Sequence, residues 1–355
     1  MKKNLRKLRR QIDCIDKELI SLLNNRAKVA WQIGKIKNIH GESPYSPERE
    51  TEVINKATSL NKGPLTSSAL ESIYREIMSF SLSALGPLKV AYLGPKASFT
   101  HLAALKKFGS QVDFDASNSI SDVFLKVEKG TADYGVIPIE NSIEGAVSHS
   151  LDMFVDSDAK ICSEITLDIS HNLLANCGRN KIRRIYSNPQ VFGQCRLWLQ
   201  ENIPCAEQVE VSSTTRAAQI AKKEKNSACI ASLLAAKVYG LNVLAKEIED
   251  SPHNFTRFLV IGNTLVPPSQ DTKTSLMFSI KDKVGALHDM LVPFKKYRIN
   301  LTKIESRPSK KKAWDYYFFV DLEGHYKDKR VKKAVRELEN KCTFLKVLGS
   351  YPIGE

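Results

Sequence analysis

The stretch of the sequence whose side chains are best suited to binding or catalysis is YGVIPIENSIEG, residues 134–145. Its apolar run ends at Glu140, Asn141 and Ser142, which supply a carboxylate, an amide and a hydroxyl in succession. One interpretation is a strand that ends at a helix cap, because asparagine and serine both cap helices well. The other is a ligand site, because open α/β sheets bind ligands just beyond the carboxyl ends of their strands. The local pattern leaves both interpretations open.

A second candidate for chemistry is Arg26, which interrupts a long series of apolar residues spaced at alternating steps of three and four. Such a series predicts a helix with an apolar seam. A charge on the seam is costly unless it is paired, and Lys37, three turns further on, projects on nearly the same face. Arg26 therefore indicates either a site for a carboxylate ligand or an ion pair with an acidic residue of a neighbouring helix. The apolar positions of the seam are Leu5, Leu8, Ile12, Ile15, Leu19, Leu22, Val29, Ile33 and Ile36.

The elements that carry these cations are helices predicted in residues 1–86. The seam predicts one helix over residues 4–39, about 50 Å long at a rise of 1.5 Å per residue. Because one small domain cannot bury such a length, a second chain is expected to share the seam. Pro47 is expected to begin a second helix and Thr66 to cap a third. The inner face of the third helix is predicted at Leu70, Ile73, Ile77 and Phe80.

Two segments with other secondary-structure patterns follow the helical segment. After Gly86-Pro87, residues 88–264 alternate short strands with helices, which predicts an α/β domain. After a polar linker with two prolines, residues 272–355 show the order β-α-β-β-α-β of the ferredoxin-like motif, an α+β domain. The predicted strands of the α/β domain are KVAYLG, YGVIPIE, KIRRIYS, ACIAS and RFLVIG.

The composition restricts the functional class. A chain of 355 residues with 42% hydrophobic content predicts two or three globular domains. We expect no membrane span, because no run of 18 apolar residues occurs, and no secretory signal, because no apolar segment follows the basic N-terminus. Seven cysteines without a CxxC pair predict free thiols in the cytoplasm and no metal site. The net charge of +14 is spread along the chain without a nucleic-acid motif, and it favours small anionic substrates.

Several long motifs, in order over nearly the whole chain, resemble the bifunctional chorismate mutase–prephenate dehydratases of phenylalanine biosynthesis. The resemblance implies an AroQ-type helical mutase domain at 1–86 and a prephenate dehydratase domain at 88–264. The dehydratase would have two lobes, like type II periplasmic binding proteins, and an ACT regulatory domain would follow at 272–355. No cofactor is implied. The motifs are VAYLGPKASFTHLAAL, GVIPIENSIEGAVSHSLDMF, SNPQVFGQCRLWL, STTRAA, NFTRFLVIG, VGALHDML and ESRPSK.

The mutase reaction that the resemblance implies rearranges chorismate to prephenate without proton transfer, so the protein acts through positioning and charge. The resemblance makes Lys37 a catalytic contact of the breaking ether oxygen and Glu50 an acceptor for the ring hydroxyl. Arg9 points off the seam, which suits a site shared across a dimer. The implied substrate-binding residues are Arg9, Arg26, Lys37, Ser46, Arg49, Glu50 and Ser81.

Two positions depart from the family pattern in the mutase domain. Ser46 stands where the family usually has aspartate, and Leu85 stands where it has a glutamine or glutamate that contacts the ether oxygen. A leucine cannot donate a hydrogen bond, and removing one such donor typically costs about 10²–10³ in rate. An alternative is therefore a dehydratase whose weakened mutase domain serves mainly for dimerisation.

The dehydratase reaction that the resemblance implies expels a ring hydroxyl from prephenate as CO2 leaves, which requires a proton donor at that oxygen. By the TRF motif, Thr256 is the implied donor, with Glu140 and Asn141 as the other catalytic residues. Arg257 is open between a carboxylate ligand and a structural ion pair. The other implied substrate contacts are Ser98, Phe99, Ser142, Ser187 and Gln194.

The ACT domain is expected to pair with a second copy and to bind L-phenylalanine, which inhibits the dehydratase. Gly285 allows close backbone approach, and the helix that begins there offers free amides to a carboxylate. The implied effector site comprises Gly285, Ala286, Leu287, Asn300, Glu305, Ser306, Arg307 and Pro308.

Three other functions compete with this interpretation: an arogenate dehydratase, a non-enzymatic amino-acid-binding regulator with a solute-binding fold, and a nucleic-acid-binding protein. We rank them below a cytoplasmic bifunctional enzyme that acts on chorismate and prephenate. Its expected assembly is a homodimer or a higher homo-oligomer, with neither nucleic acid nor membrane as a partner.

Overall fold

The computed structural model describes residues 2–40, 45–83, 86, 88–269, 271–280, 283–309 and 316–354, without the side chains of residues 2 and 38. These residues form two compact units. The helical unit consists of Met1–Leu88 with Phe108–Asp113, and the α/β unit consists of Lys89–Lys107 with Phe114–Glu355. None of the helices in the described ranges combines the length and the apolar character that crossing a bilayer requires.

The helical unit contains the three predicted helices, α1 (Lys2–Ile39), α2 (Pro47–Leu60) and α3 (Ser67–Ser83). Pro47 occupies the first turn of α2, where its missing N–H would have no partner in any case. At the start of α3 the Thr66 hydroxyl accepts a hydrogen bond from the Ala69 N–H at 3.2 Å, which is the predicted cap. The seam residues of α1 are 50–66% exposed, so this unit leaves the seam uncovered.

The α/β unit begins with two sheets whose strands alternate with helices. The first sheet has the order β2-β1-β3-β11-β5, with β4 beside β3, and the second has the order β10-β6-β9-β7-β8. The chain thus returns from the second sheet to the centre of the first, which gives the predicted two lobes. The strands are β1 (Lys89–Leu93), β2 (Asp113–Ser117), β3 (Tyr134–Asn141), β4 (Gly145–Ala146), β5 (Lys160–Asp168), β6 (Asn172–Ala175), β7 (Arg184–Ser187), β8 (Glu207–Glu210), β9 (Ser227–Ala231), β10 (Asn242–Ala245) and β11 (Phe255–Gly262).

The helices of these two lobes are short, and hydroxyl or amide side chains cap several of them. Ser119 and Asp122 form a reciprocal capping box, in which each side chain bonds the backbone N–H of the other residue. Ser213 and Ser232 accept from backbone amides at two other helix starts. The helices are α4 (Phe99–Phe108), α5 (Ile120–Glu128), α6 (Ser148–Asp156), α7 (Pro189–Gln194), α8 (Arg196–Asn202), α9 (Thr214–Lys223) and α10 (Leu233–Tyr239), with a 3₁₀ turn at Arg179–Lys181.

The third sheet belongs to the ferredoxin-like domain and has the order β13-β14-β12-β15. This order confirms the predicted motif. The strand β15 packs directly on β5, because a Cβ atom at Gly349 would clash with the Ile161 carbonyl oxygen. Only glycine permits this approach. The elements are β12 (Thr272–Ser279), α11 (Ala286–Lys296), β13 (Leu301–Pro308), β14 (Tyr316–Glu323), α12 (Lys329–Glu339) and β15 (Phe344–Pro352).

Candidate active sites

The strands β3 and β11 lie antiparallel and present two pairs of candidate residues. Thr256 lies opposite Asn141, and Arg257 lies opposite Glu140. Because successive side chains of a strand point to opposite faces of the sheet, Asn141 and Thr256 project from one face while Glu140 and Arg257 project from the other. The predicted catalytic residues are therefore divided between two environments.

The first environment is a chain of hydrogen bonds that we call the amide network: Thr256, Asn141, Asn254, Gln194 and His171. The Asn141 amide donates to Thr256 Oγ1 and to Asn254 Oδ1, each at 2.8 Å. The Asn254 amide donates to Gln194 Oε1 at 3.1 Å, and His171 Nε2 lies 2.8 Å from the same oxygen. The structure thus brings three predicted residues together and adds two that the sequence analysis did not assign, Asn254 and His171.

The remaining predicted contacts lie around this network. The Ser142 hydroxyl bridges to the 253–255 segment, donating to the His253 carbonyl and accepting from the Phe255 N–H. The Phe99 ring meets the His171 ring edge-on, with ring centroids 5.7 Å apart.

Two predicted serines have structural hydrogen bonds. The Ser98 hydroxyl donates to the Leu93 carbonyl and accepts from the His101 N–H, so it caps α4. Ser187 is fully buried and donates to the Ile230 carbonyl at 3.1 Å. The structure therefore does not place the Ser187 hydroxyl at the amide network.

A cavity of about 400 Å³ also borders Gln194 and Asn254. Its lining includes the carboxylates of Glu144, Glu249 and Asp250, which repel an anionic ligand. An anionic substrate is therefore expected to meet the network at Thr256 rather than in this cavity.

The second environment is an ionic cluster of three cations and three anions between the first sheet and the ferredoxin-like domain. Arg257 forms ion pairs with Asp321 at 2.8 Å, Glu140 at 3.0 Å and Glu164 at 3.2 Å. Two lysines complete it, Lys303 beside Glu140 at 2.8 Å and Lys273 beside Glu164 at 2.9 Å. The cluster comprises Arg257, Lys273, Lys303, Glu140, Glu164 and Asp321.

The charges of the cluster outweigh its burial. Burial would raise the pKa of the Glu140 carboxyl, but the ammonium group of Lys303, 2.8 Å away, together with Arg257, holds that pKa below its usual value. Burial would likewise lower the pKa of Arg257, yet Asp321 and Glu164 raise it above its ordinary value. Glu140 is therefore an ionised partner of cations, and a proton held on it is disfavoured. The sequence left Arg257 open between a ligand of a substrate carboxylate and a member of a structural ion pair. Its contacts match the structural ion pair.

In the helical unit, Arg26 is half-buried and donates to the Ser81 hydroxyl at 3.3 Å. A cavity of about 350 Å³ lies beside Ser81 and is lined also by Leu23, Ala27 and Ile77. Two predicted substrate contacts, one on α1 and one on α3, thus meet next to a cavity.

The start of α2 positions the acidic candidate of the helical unit. Glu50 is buried, and its carboxylate accepts from the Tyr45 hydroxyl at 2.8 Å and lies 3.9 Å from Arg75. Ser46 is the N-cap residue, and its hydroxyl donates to Glu48. Arg49 is exposed and pairs with Glu52 at 2.8 Å.

The cations of α1 are spread along its axis. Lys37 is half-buried and lies about 16 Å along the helix from Arg26, a span that two long side chains and a ligand between them can cover. Arg9 is exposed and lies about 25 Å from Arg26 in the other direction, too far to share a ligand within one chain. Leu85, the departure from the family pattern, lies outside the described residues.

In the ferredoxin-like domain the predicted effector residues lie on two faces of β13. Glu305 and Arg307 are half-buried on the face of Lys303, and Arg307 lies 3.6 Å from Asp152 of α6. The alternate positions, Ser306 and Pro308, are exposed.

Three of the predicted effector residues, Gly285, Ala286 and Leu287, lie at the start of α11. Gly285 is the N-cap residue and has a φ of +79°, a left-handed conformation that favours glycine. Ala286 is buried, whereas Leu287 is 40% exposed. The Asn300 amide donates to Glu323 at 2.9 Å.

Among the described residues, no group of three or more His, Cys, Asp or Glu side chains could hold a metal ion.

Comparisons with known proteins match all three parts of the chain. The family model for chorismate mutase type II matches residues 8–84, the model for prephenate dehydratase residues 90–265, and the model for the ACT domain residues 274–340. A bifunctional chorismate mutase/prephenate dehydratase of Aquifex aeolicus is 51% identical over 98% of both chains. One from Pseudomonas aeruginosa is 46% identical over 98% of this chain and 97% of that protein.

Among solved structures, a prephenate dehydratase from Arthrobacter aurescens in complex with L-Phe is 32% identical, with a TM-score of 0.70. The match covers 74% of this chain and 90% of that chain.

Proposed function

The chain belongs to the family of bifunctional chorismate mutase/prephenate dehydratases, and we propose that its two reactions use the groups described above. Both catalytic domains are present, so the protein is an enzyme of the phenylalanine pathway with mutase and dehydratase activities. The main support for the proposed roles of Thr256 and Asn141 in dehydration is the 2.8 Å hydrogen bond from the Asn141 amide to Thr256 Oγ1.

In the proposed dehydration, the bond to the departing carboxylate breaks as CO2 forms, and its electron pair enters the ring. The ring becomes aromatic and expels the hydroxyl group, which leaves as water once it has received a proton. Because Thr256 Oγ1 accepts from Asn141, its own proton is directed elsewhere and can pass to the leaving oxygen. The proton is regained from solvent, so one proton is consumed per turnover.

Prephenate is the proposed substrate of the dehydratase, and arogenate is the alternative. Purified protein incubated with chorismate, with prephenate and phenylpyruvate followed separately, tests both activities together. Accumulation of prephenate without phenylpyruvate, combined with turnover of added arogenate, would select the alternative.

In the proposed mutase site, fixed cations hold the dicarboxylate in a compact conformer and stabilise negative charge on the ether oxygen. The Arg26–Ser81 contact beside the cavity of the helical unit supports this placement. Consumption of chorismate at an ordinary rate would exclude a mutase domain that serves mainly for dimerisation.

We propose that α1 pairs with α1 of a second copy. The exposed seam supports this, because nine large apolar side chains left in water carry a substantial free-energy cost. The distance between Arg9 and Arg26 gives the pairing a catalytic role, since a partner chain can bring its Arg9 to the site that holds Arg26.

Co-expression tests the shared mutase site. Arg9→Ala and Arg26→Ala chains should each lose most mutase turnover alone, whereas their mixture should recover about a quarter of the wild-type turnover. Half of the dimers are then mixed, and each mixed dimer has one intact site of two. The dehydratase turnover of the same samples is the control. A mixture no more active than its components would show that each chain builds its site alone.

We also propose that L-phenylalanine binds the ACT domain and inhibits dehydration. Support comes from β13, which carries predicted effector residues and contacts the dehydratase through Lys303–Glu140 and Arg307–Asp152. Glu140 is the strand neighbour of Asn141. A shift of β13 on effector binding would therefore move the strand that holds Asn141 against Thr256, and the effector would favour one arrangement over the other.

The coupling role of Lys303 has a direct test. Lys303→Met should still bind L-phenylalanine, measured by calorimetry, but its dehydratase should need at least about fivefold more effector for half-inhibition, the lower end of typical coupling energies. Lys295→Met is the matched control, because Lys295 is an exposed lysine of α11 in the same domain. Equal inhibition of Lys303→Met and wild type would show that the Lys303–Glu140 ion pair does not transmit the inhibition.

A further inference from the structure

His171 is a buried histidine with an incomplete set of hydrogen bonds. Its side chain is 1% exposed, and within the described part of the chain its Nδ1 atom has no partner. A buried polar atom without a partner destabilises the fold, because it has given up its hydrogen bonds to water. An apolar side chain of similar size would avoid that cost. The histidine is therefore best explained by the contact that its other ring nitrogen, Nε2, makes with Gln194.

The hydrogen bonds of the amide network have only one consistent set of directions. The Asn141 side-chain oxygen accepts from the backbone N–H groups of Ile143 and Glu144, at 2.9 and 3.0 Å. This fixes the amide orientation, so Asn141 must donate to Asn254 Oδ1. The Asn254 amide nitrogen is then left to donate to Gln194 Oε1.

The same reasoning sets the tautomer of His171. Because Gln194 presents its oxygen to the ring, the 2.8 Å contact requires a proton on His171 Nε2. Burial lowers the pKa of His171, and this outweighs the opposing effects of the hydrogen bond to Gln194 and of nearby Glu249. The ring is therefore neutral at neutral pH, with its single proton on Nε2 and a lone pair on the unpartnered Nδ1.

We propose that His171 is a positioning residue for dehydration, which acts through Gln194 and Asn254 to hold the Asn141 amide on the Thr256 hydroxyl. Without the Nε2–H donor, the Gln194 amide can rotate and present its nitrogen to Asn254. Asn254 then has no acceptor at Gln194, so its Oδ1 is no longer held against the Asn141 amide. Asn141 keeps its amide orientation through Ile143 and Glu144, but without Asn254 Oδ1 the position of its amide nitrogen is less tightly held. The Thr256 proton is then less well directed, although the Thr256 side chain stays in place. This inference rests on the proposed role of Thr256 as the proton donor.

Two substitutions at His171 separate positioning from packing. His171→Leu removes the donor at similar volume, whereas His171→Gln carries an amide N–H donor at nearly the reach of Nε2. His171→Leu should lower the dehydratase kcat about tenfold, the equivalent of one hydrogen bond of about 1.4 kcal/mol, with little change in KM. His171→Gln should restore most of that loss. Mutase turnover of the same preparations corrects for the amount of enzyme, and an unchanged KM for prephenate reports an intact dehydratase.

A double-mutant cycle with Thr256→Val distinguishes the failure of this inference from the failure of its premise. If His171 acts through the threonine hydroxyl, His171→Leu should have little further effect once that hydroxyl is absent. Retained turnover in Thr256→Val would overturn the premise and the inference together. Loss in Thr256→Val with normal kcat in His171→Leu, or equal losses in the leucine and glutamine variants, would overturn the inference alone.

Discussion

Thr256→Val is expected to lose most dehydratase turnover, by about 10²–10⁴-fold, the usual contribution of a positioned acid. Valine has the β-branched shape of threonine, so the β11 strand and its pairing with β3 and β5 should persist. Only the hydroxyl disappears, and with it the group that accepts from Asn141 and donates to the leaving oxygen. Steady-state assays with prephenate should show the loss in kcat with KM nearly unchanged.

Thr256→Ser is the matched control, because it keeps the hydroxyl and should stay within about tenfold of wild type. The mutase turnover of both variants should equal that of wild type, since the mutase residues belong to the helical unit. Near-normal kcat in Thr256→Val would show that another group, or water, protonates the leaving hydroxyl.

The domain order, the three helices of the helical unit and the six elements of the ferredoxin-like domain could be predicted from the sequence, because hydrophobic periodicity carries that information locally. Of the eleven strands of the two lobes, five were predicted and six were missed. One of the six, β5, was missed for a physical reason. Its centre holds Glu164, which reads as a surface residue, yet its side chain is 4% exposed because Arg257 and Lys273 neutralise it. A buried charge and its partners are distant in sequence, so local pattern cannot reveal that the position is interior.

The candidate site shows two different limits of sequence reasoning. The division of Glu140 from Asn141 was open to prediction, since adjacent residues on a strand must face opposite sides. Asn254 was open to the same reasoning, because it lies two residues before Thr256 and alternate residues of an extended chain share a face, whereas nothing in the spacing of His171 relates it to Asn141. The fold brings them together by returning the chain from the second sheet to the first, and only their hydrogen-bond directions then indicate a role.

The ionic cluster is expected to determine the stability of the α/β unit, and Arg257→Met should lower its free energy of unfolding by about 3–5 kcal/mol. Arg257 contacts all three anions of the cluster, and its side chain is only 16% exposed. Methionine fills similar space without the charge. The three carboxylates then outnumber the two lysines, and two of them, Glu164 and Asp321, are only 4% and 11% exposed, in surroundings from which water is largely excluded. Urea denaturation of the full chain, followed by circular dichroism, measures the loss.

A second substitution decides whether charge balance is the cause. Arg257→Met combined with Asp321→Asn leaves two cations and two anions, and asparagine can still accept the hydrogen bond from the Ser275 hydroxyl. The double variant should therefore be more stable than Arg257→Met alone. Two independent destabilising changes would instead add, and would make the double variant less stable. A double variant less stable than the single one would assign the loss to packing. Unchanged stability in Arg257→Met, together with a raised KM for prephenate, would instead make Arg257 a ligand of the substrate carboxylate, because a residue that binds substrate need not stabilise the free enzyme.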